Sequence, residues 1–152
     1  MARLKIKTII KVLFFAVVSV AVLFQLAGLY ARWQTGRQIR AQIRANAIVE
    51  VLEIDPRFPP GLLLAYENGS AYKIDKTVFK LSFWLAGQEV ASTERDFREM
   101  RPGEREHVLL ESVAVPRAAK PPAPGTELTY HLLVYPGQRN PLPELKGEIV
   151  LR

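Results

Sequence analysis

Three patterns of apolar and polar positions follow one another along this chain. Residues 12–31 read VLFFAVVSVAVLFQLAGLYA, twenty positions without a charge, broken only by Ser19, Gln25 and Gly28. A helix rises about 1.5 Å per residue, so the run spans about 30 Å, the hydrocarbon core of a bilayer. Lipid offers backbone groups no hydrogen-bond partner, which leaves a helix as the local solution there. Residues 32–46 keep the helical period but become amphipathic. On a wheel of about 100° per residue, Trp33, Arg37, Arg40 and Arg44 share one narrow sector, and Ile39 and Ile43 lie roughly opposite. From residue 47 the pattern changes again, to short alternating runs broken by Pro and Gly.

The clearest of these runs is 78–85. Phe79, Leu81, Phe83 and Leu85 point to one face, and Lys80, Ser82 and Trp84 to the other. A period of two with one wholly apolar face is a half-buried antiparallel strand. Further strands are expected over 48–54, 62–66, 89–97, 106–115, 128–135 and 147–151, the run 89–97 being polar enough for a sheet edge. Asp55-Pro56, Pro59-Pro60-Gly61, Asn68-Gly69, Gly87-Gln88 and Pro102-Gly103 punctuate them, and a proline-rich link covers 116–125. About seven short strands predict an all-β sandwich of immunoglobulin type. The expected organisation is a short cytoplasmic tail (1–11), a transmembrane helix (12–31), a basic amphipathic helical stalk (32–46) and the β-sandwich (47–152).

Charge sharpens this division. Residues 1–45 hold eight basic residues and no acidic one, which leaves 13 basic against 15 acidic in the remainder. The overall +6 therefore belongs to the membrane flanks. A nucleic-acid reading wants a basic face on the folded domain and does not find one.

The basic amino end and the apolar run also have the plan of a signal peptide. A small-x-small site at Ser19-Val20-Ala21 would leave VLFQLAGLYA exposed, and Leu29-Tyr30-Ala31 puts a large residue at the first specificity position. An uncleaved signal-anchor is expected, with Tyr30 and Trp33 at the interface. Four basic residues precede the run and four follow it, so charge alone does not orient it. The eleven-residue tail favours an inside amino end and a sandwich outside the cytoplasm, as in a bacterial inner-membrane protein with a periplasmic domain.

The absence of cysteine excludes a disulfide framework, a thiolate metal site and a thiol nucleophile. There is no glycine-rich phosphate loop and no histidine pair at metal-ligand spacing. His107 and His131 could face each other across a sheet, but two imidazoles make an incomplete site. Neither an enzyme nor a bound cofactor is expected. Asn68-Gly69-Ser70 is formally a glycosylation acceptor, with a turn as the simpler explanation.

Tyr66-Glu67-Asn68-Gly69-Ser70, Ile74, Phe79-Lys80-Leu81-Ser82-Phe83, Gly87-Gln88-Glu89-Val90 and Arg101-Pro102-Gly103-Glu104 form a series that resembles bacterial FxLYD-type extracytoplasmic domains. The resemblance covers roughly residues 48–135 and implies the immunoglobulin-like fold; it departs at Ala86-Gly87, where the family has Tyr-Asp. Pro124-Gly125-Thr126 ahead of Tyr130 further resembles the strand-F approach of fibronectin-type sandwiches, which implies a tyrosine corner bond.

Such sandwiches host many binding roles. The expected function is a single-pass membrane accessory protein that presents the sandwich to another envelope or membrane protein. An envelope ligand- or metal-binding module is the alternative. The candidate interaction surface has two parts. In the stalk it comprises Trp33, Arg37, Ile39, Arg40, Ile43 and Arg44, where a solvated stalk with arginines on lipid phosphates is the competing reading. On the sandwich it is Trp84, unless the proline-rich link folds over that side chain.

Overall fold

The structure, a computed structural model, describes residues 2–116, 121–137 and 140–152, with side chains from residue 10 onward. One helix, α1 (Ala2–Asn46), takes in the apolar run and the expected stalk without a break. Among the described residues eight strands follow: β1 (Ala47–Asp55), β2 (Gly61–Asn68), β3 (Thr77–Leu85), β4 (Gln88–Phe97), β5 (Arg105–Glu111), β6 (Val113–Ala114), β7 (Glu127–Pro136) and β8 (Leu145–Val150). They form two antiparallel sheets, ordered β1-β2-β5 and β6-β4-β3-β7-β8. The chain divides into two compact units, residues 1–39 and 40–152, so the second begins seven residues before the first strand.

Each of the seven expected strands is present, and one of them is two. The run 106–115 breaks at Ser112, whose N–H (3.3 Å) and hydroxyl both donate to the Pro60 carbonyl. That contact ends the pairing of β5 with β2. The chain then crosses to the other sheet, where Val113 and Ala114 pair with Ser92 and Ala91 of β4. Beyond those two rungs β4 is an open edge, as its polar sequence predicts.

Alternation decides which face is buried. In β3, Phe79, Leu81 and Phe83 are no more than 1% exposed, with Lys80 and Ser82 between them pointing out. In β7, Leu128, Tyr130, Leu132 and Val134 point in. The opposite sheet contributes Leu62, Leu64 and Tyr66 from β2, and Val108 and Leu110 from β5. Tyr66 stands edge-on to Phe79 at 5.3 Å and to Phe97 at 6.3 Å, the geometry that aromatic quadrupoles favour. Its hydroxyl meets the Thr77 hydroxyl at 2.9 Å, so one end of the core is stitched across the two sheets by a buried polar pair. Leu85 departs from expectation. It is only half-buried, at the last position of β3 beside the turn into β4.

The junction with α1 is built on Asn68. This residue is fully buried at the end of β2. Its amide donates to the carbonyls of Tyr72 (2.8 Å) and Met100 (3.2 Å), and its oxygen accepts from the Ser70 N–H (3.1 Å) and hydroxyl (2.6 Å). Next to it the Gly69 N–H donates to the Asn46 carbonyl, the last of the helix, at 3.1 Å. A Cβ on Gly69 would sit 2.6 Å from that carbonyl oxygen, so the close approach requires glycine. The formal glycosylation acceptor is thus an interior hydrogen-bond hub with no exposed side chain.

Tyr130 makes no corner hydrogen bond among the described residues. Its ring instead occupies the space above Gly147, its partner on β8, where a Cβ would lie 2.5–2.7 Å from the ring and hydroxyl atoms.

Candidate interaction surface

The predicted stalk residues separate. The Arg37 guanidinium lies 4.7 Å above the Trp33 ring, as the shared sector of the wheel requires. Trp33, Arg37, Arg40 and Arg44 are all exposed. Arg44, in the last turn, also complements the negative end of the helix dipole. Ile39 is half-buried, but Ile43 is only 6% exposed and belongs to the core of the second unit. Ile43 is therefore not half of a free apolar strip. The apolar side expected from the wheel is present, and at Ile43 it is covered by the chain's own domain.

Trp84 does point away from the core, as alternation predicts, and is half-buried. Its indole N–H donates to Ser82 Oγ at 2.8 Å, so the polar edge is satisfied locally. Residues 117–120 of the proline-rich link lie outside the described residues.

The register of β4, β3, β7 and β8 places the neighbours of Trp84. Glu89, Trp84, Thr129 and Glu148 form one cross-strand row; Ser92, Ser82, His131 and Lys146 form the next. The His131 ring lies 6.0 Å from the Trp84 ring, and its Nδ1 is 2.8 Å from Glu144 Oε1. Lys146 approaches the other oxygen of Glu144 at 2.9 Å. These two contacts, the lysine first, hold the Glu144 carboxyl below its ordinary range. Further along the face, Lys80 pairs with Glu94 at 2.9 Å and stands 5.8 Å from the Tyr135 ring centre.

His107 and His131 do not face each other. His107 is exposed on the outer side of β5, opposite Ala65, whereas His131 lies on the outer side of the other sheet. Among the described residues no group of three or more His, Cys, Asp or Glu is placed to hold a metal ion. An open groove of about 270 Å³ runs along β1 between the sheets, with Val49, Val134, Leu142 and Leu145 in its lining. All its lining side chains are apolar, so no side chain there would orient a small polar ligand.

Glu144, Thr129 and Glu148 were not singled out from sequence. The outward parity of Thr129 and His131 was legible in the alternation of 128–135. Their proximity to Trp84 was not, because it depends on which strands pair and in what register.

The class of protein defined by these features is an all-β, immunoglobulin-type sandwich behind a single long apolar helix. No family model matches the chain, and no curated protein matches it.

Proposed function

We propose that the chain is a single-pass membrane accessory protein, anchored by α1, whose sandwich recognises another envelope or membrane protein by surface contact. The observation that carries this reading is the helix. It contains a window of 18 residues apolar enough to cross a bilayer, and none of that window is buried by the protein itself. Residues such as Phe14, Phe15, Leu23 and Phe24 are each at least 59% exposed, an apolar surface that water disfavours and lipid accepts. In this reading the amino end is cytoplasmic and the sandwich lies outside, in the periplasm of a bacterial cell. The acid-leaning sandwich and the aromatic on its outer sheet face support recognition as its role.

A reporter joined after Arg152 tests the topology: alkaline phosphatase is expected to be active there, and a cytoplasm-dependent reporter silent. The reverse pattern overturns the orientation, and an intact mass beginning near Val22 overturns the anchor. Purification of the full chain in mild detergent is expected to bring a stoichiometric envelope protein with it. Its consistent absence under crosslinking overturns the recognition role.

A further inference from the structure

The ion pairs of the sandwich are unevenly distributed. Lys73 pairs with Asp75 and Glu99, Lys76 with Asp96, Arg98 with Glu104 and Glu106, and Arg105 with Glu50 and Glu67. These cluster toward the end of the sandwich where β2 finishes and β3 begins; Lys80–Glu94 lies midway along β3, and Asp55–Arg57 lies beside the start of β2 on the other sheet. At the opposite end of the outer face of β4, β3, β7 and β8, three carboxylates make no ion pair among the described residues: Glu89, Glu127 and Glu148. Glu89 and Glu148 share the cross-strand row of Trp84 and Thr129, and Glu127 lies two residues before Thr129 on the same face of β7. Among the described residues, Lys146 and His131 of the neighbouring row both contact Glu144. Val150, paired with Glu127, adds an apolar side chain that is 57% exposed.

We infer that this end of the sheet is the docking surface for a cationic segment of a partner protein, with an arginine or lysine seated over the Trp84 ring. The chemistry matches on each count. An indole face attracts a cation, and Arg in particular stacks on it. Strands lie about 4.8 Å apart, so Glu89 and Glu148 stand about 14 Å from each other across the row. That separation admits an extended chain whose basic side chains reach both. Thr129, between Trp84 and Glu148 in the row, is a small half-buried side chain. The +6 of the whole chain sits on residues 1–45, while residues 46–152 carry 13 basic against 15 acidic residues, so the sandwich itself does not repel such a segment. This inference deepens the recognition role proposed above and rests on it only for the identity of the occupant as a protein.

The test uses the full chain in neutral detergent and a short fluorescein-labelled peptide of alternating arginine and glycine, followed by anisotropy at low and physiological salt. Glu89→Gln with Glu148→Gln is expected to weaken binding about tenfold, and Trp84→Ala by a similar factor, whereas Trp84→Phe retains most of it. Glu53→Gln with Glu111→Gln removes the same charge from the other sheet and is expected to change binding by less than about twofold. Urea midpoints verify that each variant is folded. The inference is overturned if the wild type does not bind the peptide, if the control pair costs as much as Glu89 and Glu148, or if folded Trp84→Ala binds like the wild type. A natural partner retained in full by Glu89→Gln/Glu148→Gln would overturn this surface and leave the accessory role standing.

Discussion

Asn68 is the side chain on which the junction of helix, β2 and the turn before β5 depends, and its replacement by aspartate tests that role sharply. An amide has two donor hydrogens and two acceptor positions, and all four are engaged here. Asn68→Asp keeps the shape and both acceptor contacts to Ser70. It turns the donating nitrogen into an oxygen that faces the carbonyls of Tyr72 and Met100. The neutral acid has a single hydroxyl hydrogen, so it loses one of the two donated bonds and leaves one carbonyl stranded, at a cost of about 2 kcal/mol. An ionised carboxylate in that fully buried position adds several kcal/mol, so the group holds its proton instead. Its folded pKa is then raised above the unfolded value of about 3.9. The sign follows: the variant's deficit against wild type is smallest below about pH 4 and grows as pH rises toward the folded pKa. Urea unfolding of the full chain in detergent, followed by tryptophan fluorescence, is expected to show a deficit of about 2 kcal/mol at acid pH and about 5 kcal/mol at neutral pH. A variant that matches wild type at neutral pH, or whose deficit does not change with pH, refutes the hub.

Three further outcomes are expected. Burial pushes the Tyr66 hydroxyl up to about 12 from 10.0, only partly offset by its bond to Thr77. The neutral phenol is therefore favoured by folding, and stability is lost as pH rises from about 10 to 12, by about 2–3 kcal/mol; Tyr66→Phe removes that alkaline limb of the stability profile. Ala86 has φ 49° and Gly87 φ 80° in the two-residue loop between β3 and β4, a turn that prefers Asn-Gly; Ala86→Asn is expected to raise the unfolding free energy by about 0.5–1 kcal/mol. Leu81→Asp is expected to abolish the cooperative unfolding transition, while Lys80→Asp, which loses only the exposed pair with Glu94, shifts it by less than about 1 kcal/mol. Equal shifts would contradict the register of β3.

How much of this was legible in the sequence varied with the range of the interactions involved. Features set by local periodicity were readable: the uncharged run, the strand faces of β3 and β7, and the outward turn of Trp84. The split at Ser112 was not, because nothing in 106–115 announces a hydroxyl that reaches the Pro60 carbonyl from another strand. Asn68-Gly69 was readable as a turn but not as a hub, since its partners at Met100 and Asn46 are more than twenty residues away. The surface around Trp84 fell between these cases. Parity placed each residue on the outer face, and pairing supplied the neighbours.

The sharpest departure concerns where the folded unit begins, and it carries the last prediction. An isoleucine on the apolar side of a basic helix reads equally well as a docking strip or as a domain contact. The choice depends on packing that periodicity does not encode. The structure buries Ile43 and leaves Ile39 half-buried, so the two should no longer behave as a pair. In the full chain α1 is already nucleated, which removes the entropic cost of forming its last turns from the comparison. Ile43→Ala then loses transfer energy and leaves a partly collapsible cavity, about 2–3 kcal/mol. Ile39→Ala, at a half-exposed site, is expected to cost less than about 1 kcal/mol. The same packing predicts that a fragment beginning at residue 40 unfolds at higher urea than one beginning at residue 47. The gain is smaller than the Ile43→Ala effect, because the fragment must nucleate its own helical turn. Urea titrations of the two single variants decide the matter: equal losses would return both isoleucines to a partner-facing strip, and unequal losses place the start of the domain within the helix.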